Sequence, residues 1–201
     1  MRCVRFLRGI TLLKKGSIAL YWGSFDPPTL AHKAIILTSL KHFRKVIIII
    51  NNDARKQYLL EATERLTLFK KSLSSCIEFI EFCIQSDKVR YSYSYFKNKY
   101  QGKISAIVGA DSYDSWLGYT KEEKHQVYDE VVIFPRRGVK NISKKLTTYA
   151  RVIPICSKYA GISSRYVREK IALGKINAVK SSIDKAILYA VIEKYKNLTN
   201  K

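Results

Sequence analysis

The sequence predicts an α/β fold in which a parallel β-sheet is covered by helices on both faces. Residues 46–50 form a continuous β-branched run, VIIII, which is typical of a strand buried on both faces of a parallel sheet. Short apolar runs of this kind alternate with segments whose apolar residues recur at helical spacing, as expected for βαβ units. Pro27 and Pro28 precede one such segment and favour a helix start there.

The same patterns predict the order of elements along the chain. Strands are expected at 18–22, 46–50, 77–82, 104–108, 130–134 and 151–155. Helices are expected at 30–40, 64–73, 93–99, 163–173 and 183–195. Gly23 and Gly109 end two of the strands, and Pro135 follows another. Because ligands bind beyond the carboxyl ends of the strands in such a sheet, the candidate site residues are sought there.

Length and composition favour one domain of moderate size. The chain has 201 residues, of which 47% are hydrophobic. We expect a single domain at 18–201, preceded by a basic extension at 1–17. No apolar run approaches the roughly 18 residues of a membrane span, so no membrane association is expected. Four cysteines show neither a CxxC pair nor metal-ligand spacing, so we expect reduced thiols in a cytoplasmic protein and no protein metal site: Cys3, Cys76, Cys83 and Cys156.

The positive net charge indicates a phosphate-rich partner, but it does not distinguish a nucleotide from a nucleic acid. The chain has 37 Lys and Arg residues against 16 Asp and Glu residues, a net charge of +21. Such a field attracts small anions such as nucleotides as well as nucleic acids. The basic residues are scattered, and no run of five or six of them is interleaved with aromatic residues. A nucleic-acid partner is therefore not favoured.

The segment 18–32 has the pattern strand, glycine turn, helix start. Gly23 permits a backbone path that other residues resist, and it lets main-chain N–H groups approach an anion. Thr29 and His32 are three residues apart, so both side chains project from one side of the first helical turn. A helix N-terminus favours negative charge, and hydroxyl and imidazole donors there suit a triphosphate. The chain contains no GxxxxGK[ST] loop, so the site is not of the Walker type.

Residues 23–32, GSFDPPTLAH, resemble the (H/T)xGH signature of the nucleotidyltransferase superfamily. The signature is written GxFDPxHxGH in the nicotinate mononucleotide adenylyltransferases, and it is matched here at Gly23, Phe25, Asp26, Pro27 and His32. Thr29 stands where those enzymes usually have a first His, although Thr is normal in the related pantetheine-phosphate adenylyltransferases. Ala31 replaces the usual Gly.

Further motifs resemble the same family, in the same order. Residues 161–168, GISSRYVR, are similar to its ISSTxxR motif, with Arg165 in place of the usual Thr. Residues 108–116, VGADSYDSW, resemble its GADxLxxLxxW stretch, although in strict register Tyr119 rather than Trp116 falls on the last aromatic position. The pair Arg55-Lys56, the segment SYS at 92–94 and the segment FPRRG at 134–138 resemble shorter family motifs.

This resemblance implies a Rossmann-like sheet of the nucleotidyltransferase type and an enzyme that joins nicotinate mononucleotide to the AMP part of ATP. It implies that His32, Thr29, Arg168 and Lys56 act on the phosphates during transfer. It assigns ATP binding to Gly23, Ser24, Phe25, His32, Gly109, Asp111, Ile162, Ser163 and Arg168. It assigns mononucleotide binding to Ser94, to Trp116 or Tyr119 as the ring that stacks on the pyridine, and to Arg136. Mg²⁺ is expected to accompany ATP, without a dedicated carboxylate cage.

Two other functions compete with this interpretation. One is a pantetheine-phosphate adenylyltransferase, which Thr29 favours. The other is a basic nucleic-acid-binding protein on a Rossmann-like scaffold, which the fold alone does not exclude. Nucleic-acid binding would not explain why the three motifs at 23–32, 108–116 and 161–168 occur in the order found in the family. The sequence leaves open whether the acceptor carries a carboxylate or an amide, although nicotinate mononucleotide is expected, and whether the chain forms a homo-oligomer.

Overall fold

The computed structural model describes residues 17–113, 128–137 and 148–199, in which six strands form one sheet. The strands are β1 (Ile18–Gly23), β2 (Lys45–Asn52), β3 (Ile80–Ser86), β4 (Ile104–Gly109), β5 (Glu130–Phe134) and β6 (Ala150–Val152). All neighbouring pairs are parallel, in the order β3-β2-β1-β4-β5-β6. The order reverses between β1 and β4, so the switch point where ligands bind lies beyond the carboxyl ends of these two strands.

Helices cover both faces of the sheet, as predicted. They are α1 (Leu30–Ser39), α2 (Ala62–Ser72), α3 (Tyr93–Lys99), α4 (Ser157–Ala160), α5 (Ser164–Ala172), α6 (Ile176–Lys180) and α7 (Leu188–Thr199). In β2, Ile48 packs with residues of α1 and α2, whereas Ile47 and Ile49 pack with Phe96 of α3 on the other face. This alternation explains why the run at 46–50 is continuously apolar.

A third apolar cluster joins the C-terminal helices to α2. Val167 of α5, Val179 of α6 and Val191 of α7 are fully buried and pack with Leu68 of α2. Burial of side chains of this size stabilises by about 1.5–3 kcal/mol each. The cluster therefore fixes α5 and α7 next to α2.

Several predicted boundaries are wrong. The strand expected at 77–82 begins at Ile80, because a 3-10 helix at Ser74–Phe79 precedes it and Ile80 aligns with Val46 at the start of the pairing. Tertiary pairing here overrides the alternating apolar pattern. The helix expected at 183–195 begins later, at Leu188, and β6 is shorter than the predicted 151–155. The helices α4 and α6 were not predicted.

Other expectations concern the chain as a whole. The predicted basic extension lies outside the described residues, apart from Ser17. Cys76, Cys83 and Cys156 are thiols, and Cys3 lies outside the described residues. In the part of the chain that the structure describes, every helix is too short or too polar to cross a bilayer.

Candidate active site

The first motif forms a tight turn between β1 and α1. Phe25 has a φ of 50°, and its buried ring folds back over the end of β1. A Cβ atom at Gly23 would lie 2.6 Å from Cζ of this ring. The ring is held by Tyr21, at 5.3 Å between centroids, and by His32, at 5.0 Å. Gly23 is thus required because the Phe25 ring occupies the space of a side chain there.

His32 is fixed as a neutral donor by the start of α1. Its Nδ1 accepts a hydrogen bond from the backbone N–H of Thr29, at 3.1 Å, in a capping box. Since Nδ1 is the acceptor, the ring proton lies on Nε2. The side chain is 8% exposed, and burial lowers the pKa of His32 from 6.5 to about 3, with a further lowering from the charge of Arg136. His32 therefore presents an Nε2–H donor over the physiological range of pH.

Thr29 is the N-cap residue of α1. Its Oγ1 accepts a hydrogen bond from the backbone N–H of His32, at 3.4 Å, and lies 3.2 Å from Nδ1 of the same residue. The side chain is 2% exposed. The hydroxyl thus orients His32, and its expected contact with a phosphate stays a prediction.

The depressed pKa of His32 makes stability depend on pH. Between its ordinary value of 6.5 and the folded value of about 3, the unfolded chain binds a proton that the folded chain does not. Stability is therefore complete above pH 6.5 and is lost as the pH falls, by about 1.4 kcal/mol per pH unit. From pH 6.5 to pH 5 we expect a loss of about 2 kcal/mol from this group.

Urea unfolding of the wild type and of His32→Gln, each at pH 7 and pH 5, checks this expectation. Gln retains an acceptor for the capping box but does not titrate. The free energy of unfolding should fall by about 2 kcal/mol more in the wild type than in the variant. Equal losses in the two proteins would show that His32 does not carry this pH dependence.

The motif at 161–168 packs directly against the first turn. Ser163 is the N-cap of α5, and its hydroxyl accepts a hydrogen bond from the backbone N–H of Tyr166, at 3.1 Å. The hydroxyl of Ser164 donates to the carbonyl of Pro27, at 2.8 Å, and a guanidinium N–H of Arg168 donates to the carbonyl of Asp26. These two hydrogen bonds join residues that are 137 and 142 positions apart in the sequence, and they hold the two motifs together at the N-termini of α1 and α5.

Asp26 is buried and accepts hydrogen bonds from two distant parts of the chain. It matches the family motif in the sequence, but no role was predicted for it. The residue is 3% exposed, and its Oδ2 accepts from the backbone N–H of Leu59, at 2.9 Å. Its Oδ1 accepts from the hydroxyl of Tyr195 in α7. Burial, together with the charge of Asp26, raises the pKa of Tyr195, so the hydroxyl stays protonated as a donor. No local pattern could have paired two residues so distant in sequence.

Gly109, Asp111 and Arg136 meet at the ends of β4 and β5. A Cβ at Gly109 would lie 2.5 Å from Oδ1 of Asp111, so glycine allows the aspartate to fold back over the strand end. Arg136 Nε lies 3.6 Å from Oδ1 of Asp111, and its NH1 donates to the carbonyl of Ile162, at 2.8 Å. Arg136, expected at the mononucleotide, thus contacts two residues expected at ATP.

Lys56 and Ser94 lie further from this centre. Lys56 is exposed and lines a groove of about 440 Å³ with Asn52, Tyr58 and Ser86, beyond the ends of β2 and β3. Ser94 is exposed in the first turn of α3, where its hydroxyl lies 2.8 Å from that of Ser92. Trp116 and Tyr119 lie outside the described residues.

Two aromatic residues, Trp22 and Tyr128, form one cluster with Tyr93 and were not singled out from the sequence. The ring of Trp22, at the end of β1, contacts that of Tyr128 at 5.6 Å between centroids. Tyr128 in turn contacts Tyr93 of α3, at 5.5 Å. These rings lie on the α3 side of the sheet, and no local sequence pattern indicated Trp22 or Tyr128.

Comparison with known proteins shows the family of this chain. The cytidylyltransferase-like family model matches residues 20–170. A probable nicotinate-nucleotide adenylyltransferase of Aliarcobacter butzleri is 33% identical over 62% of this chain and 74% of its own length. A phosphopantetheine adenylyltransferase of Pelagibacter ubique is 44% identical, but the match spans 31% of this chain and 38% of that protein.

A solved structure supports the fold. The nicotinic acid mononucleotide adenylyltransferase of Plasmodium falciparum, complexed with NaAD, superposes with a TM-score of 0.76 over 92% of this chain and 98% of that chain. The identity is 21%, so this likeness concerns the fold. It confirms the predicted Rossmann-like sheet with helices on both faces.

Proposed function

Because this chain belongs to the cytidylyltransferase-like family, we propose that it is an adenylyltransferase that joins nicotinate mononucleotide to AMP from ATP, giving deamido-NAD and pyrophosphate. The observation that carries the proposal is His32, a buried, neutral imidazole whose Nε2–H is available at the switch point of the sheet. The similarity to the Aliarcobacter butzleri protein over most of that protein's length supports the acceptor.

The expected ATP site is electropositive. The N-termini of α1 and α5 meet beside the first turn, as the Ser164–Pro27 hydrogen bond indicates, and each N-terminus favours negative charge. Arg136 and Arg168 add two guanidinium groups at the same place. This arrangement supports the binding of a triphosphate by Gly23, Ser24, Phe25, Ile162 and Ser163, with Gly109 and Asp111 toward the adenosine.

Transfer is an in-line displacement. An oxygen of the 5′-phosphate of the mononucleotide attacks the α-phosphorus of ATP, a new P–O bond forms, and the bond from that phosphorus to the bridging oxygen breaks to release pyrophosphate. His32 donates from Nε2 to a non-bridging oxygen of the α-phosphate as charge develops there. Arg168 and Lys56 hold the β- and γ-phosphates. The nucleophile is already ionised, so positioning and charge neutralisation dominate.

A metal ion fits this site as a companion of ATP. Two carboxylates at the expected site face protein donors: Asp26 faces Leu59 and Tyr195, and Asp111 faces Arg136. Such a donor set suits Mg²⁺ that arrives on the phosphates better than Mg²⁺ held by the protein. When bound, Mg²⁺ neutralises charge on the phosphate oxygens.

The pyridine ring is expected on the α3 side of the sheet. Donors near Ser94 are expected to face the ring substituent, and Trp116 or Tyr119 is expected to stack on the ring. A site made of donors suits a carboxylate, which only accepts, better than an amide, which also donates. We therefore expect nicotinate mononucleotide to be the better acceptor.

Steady-state pyrophosphate release with nicotinate mononucleotide and with nicotinamide mononucleotide tests this expectation. At equal ATP and Mg²⁺, kcat/KM for the nicotinate form should exceed that for the amide form by at least about 10-fold, the effect of one mismatched hydrogen bond to a charged group. Equal values, or a preference for the amide, would contradict the acceptor assignment and leave adenylyl transfer itself in place.

Phosphopantetheine is the second candidate acceptor. Thr29 and the high identity to phosphopantetheine adenylyltransferases favour it, but these matches cover about a third of this chain, as in the Pelagibacter ubique protein. The Aliarcobacter butzleri match extends over 62% of the chain. We therefore place nicotinate mononucleotide first.

A further inference from the structure

Arg65 is a fully buried arginine that neither the sequence motifs nor the comparisons assign to the site. It lies in α2 and is 0% exposed. Its guanidinium makes four hydrogen bonds to oxygen atoms: Nε donates to the carbonyl of Leu60, at 2.9 Å, and NH2 donates to Oδ1 of Asn52, at 2.9 Å. NH1 donates to the carbonyls of Ser24, at 2.6 Å, and Asn51, at 2.8 Å.

These partners belong to the two segments that are expected to hold the triphosphate. Ser24 lies in the turn that leads to His32. Asn51 and Asn52 end β2, and Leu60 ends the loop that carries Lys56. The guanidinium carbon also lies 4.1 Å from the centroid of the Tyr58 ring in that loop. One side chain therefore connects the turn before His32 to both ends of the Lys56 loop.

A second contact strengthens the same connection. The backbone N–H of Leu59 donates to Oδ2 of Asp26 in the turn, at 2.9 Å. The neighbouring carbonyl, that of Leu60, accepts from Arg65. The end of the loop is thus attached to the catalytic turn through both a donor and an acceptor, and a small displacement of either attachment would change the distance between Lys56 and His32.

The geometry requires arginine. A guanidinium has five N–H donors in a rigid plane, whereas an ammonium group has three donors at a single point. A lysine at this position could not reach four oxygen atoms that surround the planar group, and at least one carbonyl would lose its partner. Uncompensated burial of polar groups is costly, so the strand ends would rearrange.

We propose that Arg65 is a positioning residue for adenylyl transfer, which fixes the turn that carries His32 relative to the loop that carries Lys56. The inference rests on the proposed function, because it takes these two residues as groups that act on the same triphosphate. Arg65 itself is buried and acts through the backbone of both segments.

A double-mutant cycle with Lys56 tests the proposal. Arg65→Lys should lower kcat by about 10–100-fold, the range expected for misplacement of a reacting group by a fraction of an ångström to 1 Å. In the wild type, Lys56→Ala should raise KM for ATP by about 10-fold, as for loss of a charge-assisted contact. In the Arg65→Lys background the same change should raise KM by less than about 3-fold, because Lys56 is no longer held in place.

The matched control is Phe43→Leu, a buried substitution ahead of β2 at the opposite end of the sheet. It should lower Tm without changing the effect of Lys56→Ala. If Lys56→Ala instead raises KM for ATP by the same factor in Arg65→Lys as in the wild type and in the control, Arg65 has only a structural role and the proposal is overturned. Should Arg65→Lys fail to fold, Asn52→Ala removes one of the four acceptors and should give the same non-additivity with smaller changes.

Hydrogen exchange separates this inference from the proposed function. In the protein without substrates, Arg65→Lys should speed amide exchange in residues 53–61 and 24–29 but not in α3. Faster exchange in the two segments supports the attachment even if the wild type transfers no adenylyl group. Unchanged exchange there would overturn the attachment, whatever the activity.

Discussion

His32→Ala is expected to lower kcat by about 10²–10³-fold while the protein remains folded. The imidazole is held by the capping box and by burial, so its Nε2–H needs no reorganisation when charge develops on the α-phosphate. Alanine removes this donor. The loss of the capping acceptor should cost about 1 kcal/mol of stability, which leaves the fold intact. Pyrophosphate release at saturating ATP and acceptor, together with thermal unfolding, measures both effects.

Ile35→Val provides the control for this variant. Ile35 lies in the same helix, is 1% exposed and packs in the core cluster that includes Phe25. Its truncation costs about 0.5–1.5 kcal/mol, similar to the loss expected for His32→Ala, and should leave kcat close to that of the wild type. A His32→Ala protein with near-normal turnover would remove His32 from the mechanism.

Arg168→Lys is expected to lower kcat/KM for ATP by about 10–100-fold. The guanidinium donates to the carbonyl of Asp26 and remains 32% exposed at the side chain, so it can reach a phosphate from the same position. A lysine supplies a point charge but not two parallel donors. Initial rates over a range of ATP concentrations, with saturating mononucleotide, separate KM from kcat.

Arg165→Lys is the matched change on the same helix. Arg165 lies on the exposed side of the first turn of α5 and stands where the family motif has Thr. Its replacement should leave both kinetic constants within about 3-fold of the wild type, as for most surface substitutions. If Arg168→Lys behaves in the same way, the motif at 161–168 serves only as a helix start.

The sheet was predictable because its strands carry a strong local pattern. The run at 46–50 is apolar throughout because Ile47 and Ile48 face different covered sides, and the structure confirms this burial. The turn at 23–32 was predictable because glycine, proline and an N-cap residue each restrict the backbone locally. The motif at 161–168 was expected beside this turn because ligands bind at the carboxyl ends of the strands, and Arg168 does donate to the carbonyl of Asp26 in the turn.

The attachments behind the site could not be predicted in this way. The hydroxyl of Tyr195 donates to Asp26, and the guanidinium of Arg65 donates to the carbonyl of Ser24. These groups meet only when the helices have packed. The residues that flank Asp26 and Arg65 in the sequence do not distinguish a buried, hydrogen-bonded charge from a charge on the surface. The late start of β3 has a similar cause. Its first residue, Ile80, is fixed by pairing with Val46 and not by the pattern of apolar residues in the segment 77–82.

Competition between acceptors tests the central claim most directly. ATP labelled at the α-phosphate is supplied with Mg²⁺ and equal concentrations of nicotinate mononucleotide and phosphopantetheine, and the labelled products are separated and counted. We predict label in deamido-NAD, with pyrophosphate released in equal amount, and His32→Ala should suppress this product. Label found chiefly in adenylylated phosphopantetheine would contradict this prediction.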